Sequence, residues 1–104
     1  MSEKITVQRD NKSNLSFIGN SLGSASSFDN NDQSDRWTEL ELYESVAGSY
    51  VCSEICRTIH DGERDRFRAS VRSDTVGVIE FFGHRWLAQE LYSNSGIEDV
   101  ETIE

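Results

Sequence analysis

The side chains best suited to bind a metal ion in this sequence are two cysteines and two histidines. Cys52, Cys56, His60 and His84 are of the types that hold Zn²⁺ in proteins. The two cysteines lie in a run that alternates like a strand, which separates them by about 13 Å at about 3.3 Å per residue. That distance exceeds the reach of one tetrahedral ion and of a disulfide bond. We therefore expect the cysteines to act as small hydrophobic residues, with no metal and no cofactor.

Residues that could act as nucleophiles or bases are scattered along the chain. No serine stands in a G-x-S-x-G frame, and the seven glycines are dispersed instead of forming a phosphate-binding loop. His60 and His84 have no neighbouring motif that fixes a catalytic role for either of them. An enzyme would need a pocket that unites one of these histidines with carboxylates. The sequence predicts a protein that is not an enzyme.

Carboxylates are the most numerous charged group, with 19 acidic against 10 basic side chains and a formal net charge of −9. Glu39 and Glu41 share one face of a predicted strand and stand about 6.6 Å apart. Such an array can occupy an arginine- and lysine-lined groove that normally holds phosphates. The alternative is that the charge serves only solubility. The expected partner-binding residues are Glu39, Glu41, Glu44, Glu98, Asp99 and Glu101, with Trp37 and Tyr43 as aromatic anchors.

A basic strip interrupts the negative charge, because residues 57–72 hold five basic and three acidic side chains. Its arginines alternate with apolar residues, which predicts a strand over residues 64–72 with a basic outer face. A strip of this kind can contact nucleic acid, but acidic residues are interleaved with it. Cross-strand ion pairs with Glu39, Glu41 or Glu54 are the preferred interpretation. The arginines of the predicted strand are Arg64, Arg66, Arg68 and Arg72.

The stretch from residue 36 to residue 59 is predicted to form a hairpin against which the rest of the chain packs. In residues 37–43 leucines alternate with glutamates and aromatic residues. We expect the leucine face to be buried and the glutamate face to meet water. A break that contains Gly48 separates this strand from a second alternating run over residues 50–59, with Ile59 on its apolar side.

The N-terminal third is predicted to hold a smaller hairpin. Residues 5–7 alternate like a short strand, and residues 15–19 form its partner across a turn. Residues 22–28 have the spacing of a helix, although their serines and glycines make it a poor one. Residues 26–35 are rich in Asn, Asp and Ser, which predicts a flexible loop.

Two short helices are predicted after the last strand. Ser73 or Asp74 is the N-cap of the first, whose apolar stripe is formed by Val76, Ile79 and Phe82. The second carries its apolar residues at Trp86, Leu87 and Leu91. Asn94 or Gly96 supplies its C-terminal cap, and Ile97 folds back over its last turn. Residues 98–104 are either a final edge strand or an acidic tail.

These elements predict one small domain over residues 1–104 of the α+β class. It consists of an antiparallel meander of about four to five strands, with two short C-terminal helices packed on one face. No apolar run approaches the length of a membrane helix, and the N-terminus lacks a signal-peptide core. Two cysteines suit a reducing compartment, so a cytoplasmic location is expected.

The order of these signals resembles the EXLDI family of small bacterial proteins of unknown function. The shared layout runs through an F-x-G strand at Phe17 and Gly19, and a T-E-L-x-L-Y strand at residues 38–43. It continues through G-x-Y-V at residues 48–51 and a helix that ends in E-L-Y at residues 90–92. The resemblance implies a sheet-plus-helix domain and no particular activity. In size and charge the chain is also analogous to small acidic anti-CRISPR proteins of phages and mobile elements.

Together these features predict a protein-binding inhibitor from a phage or mobile element whose acidic surface mimics nucleic acid. Its partner is expected to be a basic protein surface, such as the nucleic-acid groove of a CRISPR effector complex or another nucleic-acid-binding protein. Direct binding to nucleic acid or to a membrane is disfavoured by the negative charge. The alternative hypothesis is a homodimeric regulator or antitoxin-like module that pairs through an exposed strand edge.

Overall fold

The fold is a five-stranded antiparallel sheet followed by two helices, seen in a computed structural model that describes residues 2–28 and 35–98. The strands pair in chain order, so the sheet is a meander. The α+β architecture predicted from the sequence is therefore confirmed. The elements are β1 (Glu3–Val7), β2 (Leu15–Ser26), β3 (Arg36–Ser45), β4 (Tyr50–Thr58), β5 (Arg66–Arg72), α1 (Thr75–Phe82) and α2 (Trp86–Ser95).

The sheet sorts its side chains onto two faces with separate cores. Both helices cover one face, here called the helix face, where Leu40 and Leu42 are at most 1% exposed. The burial predicted for the leucine face is confirmed. The sheet curls towards the opposite face, here called the concave face, where Val7 of β1 packs with Val51 of β4 and Ala69 of β5.

Asp10, just after β1, fastens the first hairpin to the last strand across the concave face. Its backbone N–H donates to the Phe67 carbonyl oxygen at 3.0 Å, and the Phe67 N–H donates to its carboxylate at 3.1 Å. Arg64 adds an ion pair to the same carboxylate at 3.2 Å. The hydrogen bond from Phe67, followed by Arg64, holds the pKa of Asp10 below its ordinary value. The curl of the sheet is thus secured by contacts between strands far apart in the chain.

Strand β2 bends because it must pair with two neighbours along different parts of its length. Its first half pairs with β1, and its second half pairs with β3 through a register shift between Ser21 and Gly23. Gly19 lies where the two pairings meet, against the Glu44 carbonyl oxygen of β3. Residues 22–26 belong to β2 in spite of their helical spacing, because strand pairing overrides a weak local preference.

The predicted N-cap of α1 and C-cap of α2 are both confirmed. The Asp74 side chain accepts a hydrogen bond from the Gly77 N–H at 2.8 Å, which confirms the N-cap. Gly96 adopts a left-handed conformation as the C-cap of α2, and the Ile97 N–H donates to the Tyr92 carbonyl oxygen at 3.0 Å.

The predicted apolar stripes of the helices are partly wrong. Val76 and Trp86 are 66% and 67% exposed. Because α1 is apolar nearly all round, its spacing alone does not choose the buried side, and docking on the sheet selects Val78 and Phe81 instead. The buried helix residues are Gly77, Val78, Phe81, Phe82, Leu87, Ala88, Leu91 and Tyr92.

Several predicted boundaries also shift. β4 ends at Thr58, and Ile59 is 68% exposed instead of buried. Of the predicted loop at residues 26–35, Ser26 belongs to β2, and residues 29–34 lie outside the described part of the chain. The predictions for residues 99–104 also fall outside it. Within the described residues, no helix is long and apolar enough to cross a membrane.

A buried carboxylate on the helix face ties the sheet to both helices. Glu54 of β4 is 8% exposed and accepts hydrogen bonds from Arg68 of β5 at 2.9 and 2.7 Å, and from Arg85 at the start of α2. Arg68 also donates to the Phe81 carbonyl oxygen at the end of α1 and lies 3.9 Å from the centre of the Phe81 ring. The cross-strand pair predicted between the basic strip and Glu54 is confirmed.

The arginines of β5 lie on the helix face, where Arg66 and Arg68 stay exposed as predicted and Arg72 is half-buried. The side chains of β5 that share a face with Arg68 point towards the helices, and Arg72 lies 5.8 Å from the centre of the Phe81 ring. The reason is the alternation itself, because β5 must place Ala69 in the concave core.

Replacing Gly19 by Ala should destabilise the fold by about 1–3 kcal/mol, because the added Cβ overlaps the Glu44 carbonyl oxygen and pushes β2 from β3. Urea unfolding of the variant measures this loss. Ser16→Ala, an exposed change on the same strand, should stay within about 0.5 kcal/mol of the original protein. Equal stability of the two variants would contradict the close approach.

Replacing Glu54 by Gln should lower the free energy of unfolding by about 1.5–3 kcal/mol, since hydrogen bonds to charged groups are lost. Burial raises the pKa of Glu54, but the bonds from Arg85 and Arg68 outweigh it and hold the pKa below the ordinary 4.5. A lowered native pKa stabilises the fold above the unfolded pKa, and this stabilisation fades as the pH falls through the native pKa.

The difference in unfolding free energy between the original protein and Glu54→Gln should therefore shrink on acidification from pH 7 to below about 4.5. Glu80→Gln is the matched control, because Glu80 is exposed on α1. A difference that is constant with pH would show that the carboxylate is not the source of the stability.

Candidate functional site

The concave face holds a cleft of about 720 Å³. Its volume lies within the range of ligand-binding pockets. It is lined by side chains from all five strands, and Glu90 of α2 also lines it. We call it the concave cleft. Three predicted site residues line it together: Glu39, Glu41 and Tyr43.

Glu41 lines the concave cleft and, like Glu90, forms no ion pair within the described residues. One of its oxygens accepts a hydrogen bond from the Ser21 hydroxyl at 2.8 Å. Its neighbours in register are Ser24 on β2 and Ser53 on β4, so three polar side chains form one row across the sheet. A carboxylate between two hydroxyls is suited to accept hydrogen bonds from a cationic group.

Tyr43 lies at the covered end of the concave cleft. Its ring meets Phe17 of β2 edge to face at 5.5 Å, and it packs against the small core under β1. Burial, followed by the negative charge of Glu41 and a hydrogen bond to it, raises the pKa of the Tyr43 phenol above its ordinary range. Tyr43 is therefore a hydrogen-bonding part of the cleft more than an exposed anchor.

Glu39 is held by internal partners, which differs from the prediction of a water-facing carboxylate. It accepts hydrogen bonds from the Trp37 indole N–H at 2.9 Å and from Arg57 at 3.1 Å. Arg57 also binds Asp65 at 3.1 Å. The predicted water-facing glutamate face of β3 is half-covered instead of fully open, because the curl of the sheet turns this face inwards and lines it with other strands. Trp37 packs edge to face against Phe28 at 4.9 Å.

Ser53 was not singled out from the sequence, although it lies at the floor of the concave cleft. It is only 6% exposed, and its hydroxyl has no hydrogen-bond partner within residues 2–28 and 35–98. The available signal was its position between Val51 and Ile55, where the alternation of β4 predicts a buried side chain. Arg57 was missed for a different reason, since no local motif marks it as the partner of Glu39.

The predicted acidic residues do not form one surface. Glu44 points to the helix face, because it lies three positions after Glu41 along β3 and side chains alternate between the two faces. Glu98 follows the C-cap of α2. Asp99 and Glu101 lie outside the described residues. The structure thus brings together Glu39, Glu41 and Tyr43, with Trp37 next to Glu39.

A second cavity of about 680 Å³ is lined by Arg36, Arg57, Arg64 and Arg66 at the end of the sheet that carries Trp37. Three of its four guanidinium groups, those of Arg36, Arg57 and Arg64, are bound to acids of the chain. Arg36 donates to Glu63 at 3.0 and 2.6 Å, and Arg64 binds Asp10. These pairs reduce its attraction for the phosphates of nucleic acid.

The two cysteines and two histidines do not come together in one site. Cys52 is buried in the core of the helix face and Cys56 is exposed, and both are free thiols. His60 lies 2.9 Å from the Asp35 carboxylate. Among the residues that the structure describes, no group of three His, Cys, Asp or Glu side chains could hold a metal ion. Neither His60 nor His84 lines the two cavities described above.

Comparison of the chain with family models, with curated proteins and with solved structures finds no match. The resemblance to the EXLDI family and the analogy to anti-CRISPR proteins stay predictions.

The two thiols should differ sharply in reactivity. Burial raises the pKa of Cys52 to about 12, whereas Cys56 is exposed. We expect Ellman's reagent to modify a single thiol per chain in the native protein and both after denaturation. Cys56→Ser should abolish the native reaction, and Cys52→Ser should preserve it. Rapid modification of Cys52 in folded Cys56→Ser protein would contradict its burial.

Proposed function

We propose that this protein is a non-enzymatic, cytoplasmic inhibitor that binds a basic surface of a partner protein. The surface we propose is the nucleic-acid groove of a CRISPR effector complex or of another nucleic-acid-binding protein. A chain of this kind would come from a phage or mobile element and would act as a mimic of nucleic acid. The concave cleft and the acids around it would replace phosphates in the partner's groove.

The observation that carries this proposal is an asymmetry in how the charges are paired. Most arginines bind acids of the same chain: Arg36 with Glu63, Arg57 with Glu39 and Asp65, Arg64 with Asp10, and Arg68 and Arg85 with Glu54. Several acids enter no ion pair within the described residues: Glu3, Glu41, Glu44, Asp61, Glu80, Glu90 and Glu98. Fewer cations enter no ion pair there, namely Lys4, Arg9, Lys12, Arg66 and Arg72, so the charge left for a partner has a negative excess.

Negative charge of this kind favours fast, salt-sensitive association with a basic groove. The ion pairs within the chain neutralise the five arginines that form them, so these arginines do not repel such a groove. They also hold the shape of the sheet, because they join β3, β4 and β5.

Strand-edge pairing of a homodimer has less room than the sequence implies. Asp10 occupies both backbone groups of Phe67 on the outer edge of β5. The alternation of an antiparallel pair leaves Ala69 and Val71 as the residues whose backbone groups face that edge. This edge therefore offers few hydrogen bonds to a second copy, and the other edge strand, β1, is only five residues long. For this reason we favour the inhibitor.

The proposal predicts that the protein blocks binding of target DNA to at least one of a panel of purified, guide-loaded CRISPR effector complexes. Replacing the three carboxylates that line the concave cleft, Glu39, Glu41 and Glu90, together by Gln should weaken the block by at least about tenfold, and should flatten its salt dependence. Competition with labelled target DNA at two salt concentrations measures both effects.

The matched control is a triple variant that removes the same charge elsewhere: Glu3→Gln, Asp61→Asn and Glu80→Gln. It should keep most of the inhibition. Equal losses in the two variants would attribute the effect to net charge alone. Full DNA binding by every effector in the panel would refute this partner class.

A further inference from the structure

A serine at the floor of the concave cleft has a hydroxyl that opens into the cleft. Ser53 is 6% exposed, and its hydroxyl forms no hydrogen bond within residues 2–28 and 35–98. Because the described residues contain no fully buried side-chain polar atom without a partner, what remains exposed of this hydroxyl faces the space of the cleft. Val51 and Ile55 flank it on the same face of β4, so nothing about the strand itself requires a polar residue there. The hydroxyl is therefore available to a bound group.

The groups beside Ser53 determine which kind of ligand fits. Glu41 stands directly across from it on β3, at the spacing of a cross-strand pair, and Ser24 continues the row on β2. Glu41 accepts hydrogen bonds from Ser21 and from Tyr43, which orient its carboxylate and leave it without a cation. The row thus offers a fixed negative charge flanked by two hydroxyl oxygens.

The remaining walls supply charge and apolar surface. Besides Glu41, the lining carries two carboxylates, Glu39 and Glu90, and one guanidinium, Arg57, which is bound to Glu39. The balance is three negative charges to one positive, which favours a cationic ligand. Val7 and Phe67 add apolar surface against which an alkyl chain can lie.

We infer that the concave cleft binds an alkylguanidinium or alkylammonium group, with the cation on Glu41 and the Ser53 hydroxyl accepting one of its hydrogen bonds. Guanidinium and ammonium groups are donors only, which matches a row that offers carboxylate and hydroxyl oxygens. The occupant we assign is an arginine or lysine side chain of the partner protein. This assignment rests on the proposed function.

The probe that tests the cleft is agmatine, which carries the arginine side-chain guanidinium without a peptide. Titration of ¹⁵N-labelled protein with agmatine should shift the backbone amides around Glu41, Ser53 and Ile55. Sodium sulfate at the same ionic strength should leave those amides in place, since an anion is repelled by the lining.

Two variants test the named groups. Glu41→Gln should weaken agmatine binding at least about tenfold, and Ser53→Ala about fivefold. Ser53→Ala should also keep the stability of the fold, because the hydroxyl forms no hydrogen bond within the described residues that the change would remove. A serine that only supports the structure would not show lost binding together with unreduced stability. Glu80→Gln, an exposed acid on α1, is the control and should bind agmatine normally.

The inference is overturned if agmatine leaves the cleft amides unshifted, or if Glu41→Gln binds it as well as the original protein. The source of the cation is tested with a capped Gly-Arg-Gly peptide. Displacement of agmatine by the peptide supports a partner side chain. If the peptide cannot displace agmatine, the assignment of the cation to a side chain of a partner protein is wrong.

Agmatine binding and inhibition of an effector are separate measurements. Loss of agmatine binding with inhibition preserved would refute only the cleft, whereas agmatine binding without inhibition of any effector would refute only the proposed function.

Discussion

The buried carboxylate of Glu54 is the constraint on which the arrangement of sheet and helices depends. A carboxylate at the centre of a sheet is destabilising unless charged donors surround it. Arg68 reaches it from the neighbouring strand and Arg85 from the start of α2, and Arg68 also binds the last turn of α1 at Phe81. One charged group therefore links both helices to the same face of the sheet, where α1 lies over β4 and β5 and α2 lies over β2 and β3. The apolar core then forms between them, with Leu40, Leu42 and Leu91 at its centre.

The position of the helices has a consequence for the other side of the sheet. With one face covered, the sheet is free to curl towards the opposite face, and Gly19 and the irregularity at Ser21–Gly23 let β2 follow that curl. Asp10 then secures the first hairpin against β5. The result is a cleft whose walls belong to every strand, with a small core of Val7, Val51 and Ala69 at one end. The candidate site exists because the sheet is curled.

Charge pairing links the structure to the proposed function. Arg57 lies between Glu39 and Asp65, and so converts part of the acidic face into a fixed wall of the concave cleft. Glu41, one row further along, keeps its charge. The difference between these two glutamates comes from their cross-strand neighbours, because Ile55 and Ser53 stand opposite them and only Glu39 is within reach of Arg57. Two residues that look equivalent in the sequence therefore have different roles.

The sequence by itself determined the local pattern of this protein. Side chains alternate along every strand by covalent geometry, so the burial of Leu40 and Leu42 and the antiparallel meander could be predicted. Asp74 and Gly96 could be placed as caps for the same kind of local reason. Which side of α1 is buried could not, because its apolar residues surround the helix and docking makes the choice.

Only the tertiary structure determined how far the face of β3 that carries Glu39 and Glu41 is exposed to water. Alternation states that Glu39 and Glu41 point away from the leucines, but it does not state whether that side is open water or the inside of a curled sheet. Curvature depends on contacts such as Asp10 with Phe67, which are 57 residues apart. The partner of Glu39 depends on the register of β3 and β4, and that register is set by the turn and by packing. Ser53 depends on the tertiary structure in the same way. A serine in a strand becomes a candidate ligand-binding group only when the fold places its hydroxyl in a cleft and gives it no hydrogen-bond partner.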